Sequence, residues 1–416
     1  MRALVFEQWQ GGHYFNYLEC LVPRLASICD DVIVAVTALA AASPRFAEQL
    51  GHLEELPNVR FDRGVAIPDG RSRLRFRAQL GRNVVDAIDR HRPDCVFLPS
   101  ADEQVLALPL HALAGRAGRA RRVHVEAVLH YKGYTARDGA AERLLSAVQG
   151  QLLKTGVFDC LNFVNFLQYE DAVERGLPWA AMARAAGDPV PQPPRIGRAA
   201  ARQALGLDPG GRYIGMIGDL DARKAVPATL AAFRAAGLAT DDRLVLAGRH
   251  ADAYAQVLRD DYQDLVRAGR IVVMDRFLTA AELQAAFCAL DLHVSVYHRF
   301  AGLSSLMLKS LAAGVPVIVN DHGWARAVVR RFEVGRTVEP ADTTAFASGL
   351  ATALDESAAY RESPATSRLL AFHSIDNFTA GLVERVAATA GRALQAPILP
   401  WSWVMEALPP ERRALR

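Results

Sequence analysis

The composition is that of an ordinary globular protein. Of its 416 residues, 51% are hydrophobic and 22% are charged, which excludes general disorder and allows sizeable buried cores. At a typical domain length of about 150 residues, a chain of this size is predicted to form two or three domains. The formal net charge of +3 is nearly balanced, so it gives no sign of a nucleic-acid partner and none is predicted.

The cysteines and the apolar runs indicate a cytoplasmic protein. No apolar run reaches the roughly 18 residues of a membrane helix, and the start, MRALVFEQWQGG, lacks the basic and apolar regions of a signal peptide. Attachment of the protein to the inner face of a membrane is kept as an alternative. The cysteines are odd in number, far apart and without metal-ligand spacing, so they are interpreted as buried thiols of a reducing compartment: Cys20, Cys29, Cys95, Cys160 and Cys288.

The first half of the chain predicts a parallel sheet with helices on both faces. A buried strand over residues 3–6 is followed by the glycine pair Gly11 and Gly12, an amphipathic helix and a second strand over residues 32–36. Such a βαβ unit forces a right-handed crossover and parallel strands. Further strands are predicted over residues 95–98, 123–129 and 159–164, with helical stretches between them.

A proline-rich segment predicts the domain boundary. Residues 187–194, GDPVPQPP, exclude a helix and an interior strand. Beyond them the alternation restarts, with strands predicted over residues 213–218, 244–248, 271–274 and 292–296. Several of these strands end in glycine, which is typical of a ligand-facing sheet edge. Residues 372–394 predict one long helix, and the tail from Pro397 onward has no assignment.

The most informative stretch is AGLSSLMLKSLAAGVPVIVN, residues 301–320. Ser304 and Ser305 are good N-cap residues, helical spacing follows, and Gly314 is placed to end the helix before a buried strand over residues 315–319. A first helical turn with hydroxyls and no acid offers N–H groups and the positive end of the helix dipole to an anion. The stretch therefore predicts a site for a phosphate-bearing ligand, with simple helix capping as the alternative.

Several segments resemble the glycosyltransferases of the GT-B architecture, specifically group 1, or family 4. GDLDARKA at 218–225 resembles the family's "G-R-L…K-G" donor loop, and LAAGVPVI at 311–318 is similar to its "E-A-M-A-x-G-x-P-V-I" run. Gly11 and Gly12 resemble its glycine loop. The family signature Glu, seven residues, Glu is degenerate, because Ala301 and Lys309 stand at its two acidic places and Asp219 replaces the donor-loop arginine.

This resemblance implies an α/β fold of two Rossmann-like doubly wound domains facing an interdomain cleft. Residues 1–190 would bind the acceptor and 191–371 the nucleotide-sugar donor, while 372–416 form a C-terminal helix and tail, with a return to the first domain left open. The implied reaction moves a hexosyl group from a UDP- or GDP-linked sugar to a glycan, lipid-linked or small-molecule acceptor with retention, without metal or cofactor. A non-catalytic nucleotide- or glycan-binding protein and a sugar-nucleotide epimerase remain as alternatives.

The predicted donor-binding residues follow from both the resemblance and the local chemistry. Lys224 lies in a loop after a strand, where a cation neutralises a departing diphosphate, and Lys309 lies one turn after Ser305, so its side chain leans back toward an anion there. Asp219 and Asp221 are not interpreted as metal ligands, since carboxylates repel a diphosphate. The full set is Gly11, Gly12, Gly218, Arg223, Lys224, Ser304, Ser305 and Lys309.

The predicted catalytic residues are Lys224, His130, Asp102 and Glu103. His130 ends the fifth strand, where the family often carries a histidine that contacts the donor sugar; a structural role is the alternative. Asp102 and Glu103 follow a strand end and would act as acceptor base or bind acceptor hydroxyls, with capping of the next helix as the alternative. The arginines of residues 71–82 and 116–122 are interpreted as a solvated face, with a membrane-surface patch as the minority view.

Overall fold

A computed structural model describes residues 1–11, 13–67, 72–116, 118–130, 147–148, 150–298 and 300–416. The chain divides into two compact units. The first unit contains Met1–Pro189 and Phe372–Trp401, and the second unit contains Val190–Ala371 and Ser402–Arg416. The division falls inside the proline-rich segment, the long C-terminal helix belongs to the first unit, and the end of the tail belongs to the second.

The first unit is built on a parallel sheet. Its described strands follow the order β3-β2-β1-β4-β5-β6-β7, and every pair is parallel. The central strands are almost entirely buried, as a sheet covered on both faces requires. The bounds are β1 Arg2–Phe6, β2 Asp31–Thr37, β3 Val59–Val65, β4 Cys95–Leu98, β5 His124–Leu129, β6 Cys160–Phe163 and β7 Ala183–Ala185.

Helices cover both faces of this sheet and enclose a core of aliphatic and aromatic side chains that includes Phe6, Ile33, Leu129 and Trp179. The described helices of the first unit are His13–Ala26, Ala38–Ala41, Pro44–Leu50, Arg73–His91, Gln104–Leu113, Phe166–Glu174 and Ile375–Thr389, with short 3-10 turns at Gly51–Glu55, Gly118–Arg121 and Ala180–Met182.

The second unit repeats the same plan with six described strands in the order β10-β9-β8-β11-β12-β13, again all parallel. The strands are β8 Tyr213–Ile217, β9 Arg243–Ala247, β10 Ile271–Met274, β11 Leu292–Ser295, β12 Val317–Asn320 and β13 Gly335–Val338. The helices are Arg198–Ala204, Val226–Ala235, Asp252–Asp261, Gln263–Arg267, Ala280–Ala289, Ser305–Ala312, Gly323–Phe332, Thr343–Ser357, Pro364–Phe372, Trp401–Glu406 and Pro410–Arg413.

The strand order fixes where each sheet can bind a ligand. In both sheets the order reverses at one place, between β1 and β4 in the first unit and between β8 and β11 in the second. The connections on either side of such a switch point run to opposite faces, so a crevice opens outside the carboxyl ends of these strands. We call the side of a sheet where these ends lie its carboxyl edge.

The helix predicted over residues 372–394 is present but shorter, since it spans Ile375–Thr389. One helix ends at Phe372, and the next begins after Ser374, whose hydroxyl accepts the N–H of Asn377 at 3.1 Å. The break is set by tertiary contacts. The buried His373 accepts the N–H of Asp188 at its Nδ1 (2.8 Å), and Gly187 approaches the Phe372 carbonyl so closely that a Cβ would lie 2.1 Å from it.

Candidate functional site

Two glycines shape the carboxyl edge of the second unit. Gly218 follows β8 with φ +92°, and a Cβ there would lie 2.7 Å from Leu306 Cδ1 and 3.2 Å from Lys224 Nζ. Gly248 follows β9 with φ +131°, and a Cβ there would lie 2.3 Å from the Gly218 carbonyl oxygen. Residues with side chains rarely adopt such φ values, so only glycine lets the two loops approach each other this closely.

Lys224 brings a buried cation to the end of β8. Its side chain turns inward and its ammonium donates a hydrogen bond to the Ile217 carbonyl, while its backbone forms a bridge with Tyr297 beyond β11. The residue is 6% exposed. Burial lowers the pKa of Lys224 to about 8, against the opposing charges of Asp221 and Asp219, so the ammonium is still largely protonated at pH 7.

The other charges of this loop are held in ion pairs. Asp219 accepts two hydrogen bonds from Arg249 at 2.9 and 3.2 Å, and Asp221 forms an ion pair with Arg223 at 2.7 Å. The predicted donor ligand Arg223 therefore lies exposed over its neighbouring carboxylate. Among the described residues, no group of three His, Cys, Asp or Glu side chains could hold a metal ion.

The helix Ser305–Ala312 begins at this edge with the cap that the sequence predicted. Ser304 is its N-cap, and the hydroxyl accepts the N–H of Met307 at 3.3 Å. The same oxygen lies 3.2 Å from the hydroxyls of both Ser295 and Tyr297, which anchors the helix start to the end of β11. Ser305 is the first helical residue, and the first turn carries no acid. The helix is followed by Gly314, whose φ of +77° ends it as predicted.

Ala301 and Lys309, the two residues predicted to stand at the acidic places of the signature, have different surroundings. Ala301 is exposed, its carbonyl accepts the N–H of Trp324 at 3.1 Å, and Gly323 packs so closely that a Cβ there would lie 2.6 Å from the Ala301 Cα. Lys309 lies in the second turn of the helix and is half-buried. Lys309 therefore brings a cation to the second turn of this helix, whereas Ala301 takes part in close backbone packing.

In the first unit, the predicted His130 is buried at the end of β5. Its Nε2 lies 2.9 Å from the Pro99 carbonyl oxygen and its Nδ1 lies 3.5 Å from the Tyr17 hydroxyl. Tyr17 in turn donates to Asp188 at 2.5 Å. These contacts connect β5 to the segment before the domain boundary, so they fit the structural role named as the alternative for His130. Contact of His130 with a donor sugar stays a prediction.

Of the other predicted residues of the first unit, Asp102 contacts His130 directly. The Asp102 carboxylate accepts the backbone N–H of His130 at 3.1 and 3.3 Å. Glu103 is the N-cap residue of the helix Gln104–Leu113 without a side-chain capping bond, and its carboxylate lies 3.7 Å from Arg77. Gly11 adopts φ +75°, as a tight turn requires, and Gly12 lies outside the described residues.

Sequence reasoning missed four buried polar side chains at the carboxyl edge of the first unit. Glu7 and Gln8 directly follow β1, and Ser100 and Gln104 follow β4. They are between 1% and 7% exposed, yet within the described part of the chain each has a side-chain atom without a hydrogen-bond partner. Polar residues directly after a buried strand at a switch point were the signal that could have revealed Glu7 and Gln8.

Burial also shifts the acidity of this cluster. It raises the pKa of Glu7 to about 8, against the opposing effect of the Trp9 backbone N–H, which donates to Oε1 at 2.9 Å. The Ser100 hydroxyl lies near the Glu7 carboxyl and also opposes the rise in its pKa, although the two groups are not in hydrogen-bonding geometry. At pH 7 Glu7 is therefore mostly an uncharged carboxylic acid, able to donate as well as accept a hydrogen bond.

Comparison with known proteins agrees with this architecture. Residues 211–356 match the protein family described as glycosyl transferases group 1. A search of curated protein sequences finds no match. Within the described residues, no helix is both long and apolar enough to cross a membrane.

Solved structures show the same fold at low sequence identity. HepE of Anabaena in complex with UDP and glucose has a TM-score of 0.62 at 16% identity, over 93% of this chain and 100% of that chain. Sucrose-phosphate synthase of Thermosynechococcus elongatus has 0.63 at 18%, over 94% and 97%. The UDP-GlcNAc 2-epimerase of Methanocaldococcus jannaschii has 0.57 at 12%, over 94% and 100%.

The predicted fold class, an α/β protein with two doubly wound sheets, is confirmed. The chain has the fold of the GT-B glycosyltransferases, and its second unit resembles those of group 1.

Proposed function

We propose that the protein is a glycosyltransferase that takes a sugar from a nucleotide diphosphate sugar, with UDP or GDP as the nucleotide. The observation that carries this proposal is the convergence of Gly218, Lys224 and Ser304 at the switch point of the second unit. A glycine permits close approach, a buried ammonium supplies charge, and a helix start supplies N–H groups. Together they suit a diphosphate better than an uncharged ligand.

The proposed reaction exchanges one bond to the anomeric carbon for another. The bond to the diphosphate oxygen breaks, a bond to an acceptor hydroxyl oxygen forms on the same face, and the hydroxyl proton passes to the departing diphosphate. Lys224 and the start of the helix Ser305–Ala312 stabilise the negative charge that develops on the leaving group. These groups take the part that a divalent cation would otherwise play, so no metal is required.

The acceptor is proposed to be a glycan, a lipid-linked sugar or a small hydroxyl compound. A lipid-linked acceptor would bring the protein to a membrane surface without a spanning helix. The predicted acceptor residues Asp102 and Glu103 and the predicted sugar contact His130 belong to this proposal as candidates.

A second candidate is a protein that binds nucleotide or glycan without turnover. What favours it is the predicted degenerate signature, in which Ala301 and Lys309 stand where the family resemblance places glutamates. An epimerase, which converts a nucleotide sugar without any acceptor, is the third candidate.

One experiment separates the three candidates. The protein is incubated with UDP-, GDP- and dTDP-linked sugars, with and without a panel of glycans, and nucleotide release and sugar identity are followed. A transferase releases nucleotide in the presence of acceptor. Binding by calorimetry without release would instead establish the non-catalytic candidate, and a changed sugar still attached to nucleotide would establish the epimerase.

Lys309 has its own test within this proposal. Replacing Lys309 by Ala is expected to weaken UDP binding measured by calorimetry, because a cation one turn from the helix start is removed. Arg330→Ala serves as the control, since Arg330 is ion-paired to Asp321 at 3.1 Å on the surface of the same unit. Equal affinity of the Lys309 variant and the wild type would remove this lysine from the site.

A further inference from the structure

Three aromatic side chains lie beside the buried polar cluster of the first unit. The ring of Trp9 lies 6.4 Å from that of Tyr14 and 6.1 Å from that of Phe76, and all three residues are partly exposed. Trp9 contacts the cluster through its backbone N–H, which donates a hydrogen bond to the Glu7 carboxyl. The charge of Glu7 also contributes, after burial, to raising the pKa of Tyr14. The aromatic group and the polar cluster are therefore neighbours.

The polar cluster has unused hydrogen-bonding capacity. The register Val5↔Phe97 between β1 and β4 brings the residues that follow the two strands to the same edge. Among the described residues, Oε2 of Glu7, Oγ of Ser100, Oε1 of Gln104 and both amide atoms of Gln8 have no partner. A buried polar group without a partner destabilises the folded chain, so such groups need an explanation, and a ligand that they bind is one.

The chemistry of these side chains indicates the kind of ligand. A carboxylic acid, two amides and a hydroxyl provide both donors and acceptors, and none of the four is a cation. Phosphates and carboxylates prefer arginine, lysine or helix N-termini. Sugar hydroxyls both donate and accept, and aromatic rings provide an apolar surface for the face of a sugar ring.

We propose that Glu7, Gln8, Ser100 and Gln104, together with the rings of Trp9, Tyr14 and Phe76, form a subsite for an uncharged pyranoside. The subsite rests on the proposed function, since it assigns a neutral sugar as the acceptor class and disfavours acidic sugars at this position. Glu7 and the amides bind the hydroxyl groups, and the aromatic group contacts the face of the ring.

The test is saturation-transfer NMR on the whole chain with methyl glucosides, galactosides and mannosides, and with methyl glucuronide as the acidic probe. The uncharged glycosides are expected to give signals and the glucuronide weaker ones. Trp9→Ala is expected to reduce affinity roughly tenfold. Trp403→Ala is the matched control, because Trp403 lies in the second unit against Arg368 (4.7 Å) and should leave the signals unchanged.

The outcomes separate this subsite from the donor site. UDP binding is measured on every variant by calorimetry, which also reports whether the variant is folded. Three results would overturn the subsite: no signal from any uncharged glycoside, equal signals from the glucuronide, or signals unaffected by Trp9→Ala. If UDP binding is normal in these cases, the proposed function still stands. Glycoside signals that depend on Trp9, in a protein that binds neither UDP nor GDP, would support the subsite and overturn the donor proposal.

Discussion

The two sheets use the same strand order but carry opposite chemistry at their switch points. At the carboxyl edge of the second unit lie a buried ammonium, two glycines and a helix start. At the corresponding edge of the first unit lie a carboxylic acid, two amides and a hydroxyl. The comparison teaches that topology decides where a ligand can bind, whereas the residues that follow the strands decide which ligand it is.

The same physical cause produces both environments. Burial raises the pKa of Glu7 and lowers that of Lys224, and both reach about 8. Desolvation disfavours the charged form of each group, but below pH 8 the acid is mostly neutral whereas the amine is mostly protonated. At neutral pH the two edges therefore differ by a positive charge, which suits a diphosphate at one and hydroxyl groups at the other.

The largest expected effect comes from removing the positive charge. Lys224→Met keeps the apolar stem, and we expect a loss of roughly 100-fold or more in transfer rate, as for other groups that stabilise developing charge. Thermal stability should be kept, because burial of the ammonium is unfavourable. Steady-state kinetics and a melting curve check both parts. A variant with a lower melting temperature but a normal transfer rate would show that Lys224 has a structural role only.

The next largest effect concerns the acid of the first unit. The pKa of Glu7 is raised in the folded chain, so the folded state binds more protons than the unfolded state between about pH 4.5 and pH 8. Stability from this group is therefore lost as pH rises through that range. Glu7→Gln removes this pH dependence. The free energy of unfolding of the variant should therefore rise relative to that of the wild type as pH rises, by at most roughly 5 kcal/mol at about 1.4 kcal/mol per pKa unit.

Urea unfolding of both proteins at pH 5, 7 and 9 measures this difference. Glu48→Gln is the control, since it removes an exposed acid of the same unit. A constant difference between Glu7→Gln and the wild type across the three pH values would show that Glu7 is not held protonated.

A smaller effect is expected from the close loop approach in the second unit. Gly248→Ala places a methyl group against the Gly218 carbonyl at a φ of +131°, and we expect a loss of about 1–3 kcal/mol in stability together with weaker UDP binding. Gly237→Ala is the matched control, since Gly237 also has a positive φ, +62°, but has open space around it. If both variants bind UDP equally well, the close approach does not shape the site.

The smallest effect is expected at the helix start. Ser304→Ala removes an N-cap and should cost about 1 kcal/mol in stability. Ser374→Ala removes a comparable cap in the first unit, where the hydroxyl accepts the Asn377 N–H at 3.1 Å. Only the Ser304 variant should also weaken UDP binding. Calorimetry on the pair decides, and equal UDP affinities would leave Ser304 with capping alone.

The local features of the second unit could be predicted because their signals are local. Ser304 caps its helix through its own hydroxyl, and Gly314 ends it with the positive φ that glycine adopts most easily. Apolar runs likewise predicted the buried strands. The edge strands β3, β7 and β13 were missed, because their polar residues lack the pattern of an interior strand.

The features that depend on distant residues could not be predicted. The helix break at His373 is set by Asp188, about 185 residues earlier in the chain. The unpartnered atoms of Glu7 and Gln104 are visible only once burial and every nearby hydrogen-bond partner are known. Lys224 was predicted from its loop, but its inward turn toward the Ile217 carbonyl was not.

The most direct test of the central claim is a crystal structure of the protein with UDP. We expect the diphosphate at the carboxyl edge of the second unit, within about 3 Å of Lys224 Nζ and of N–H groups at the start of the helix Ser305–Ala312. A diphosphate bound elsewhere, or a protein that binds neither UDP nor GDP at saturating concentration, would contradict this expectation.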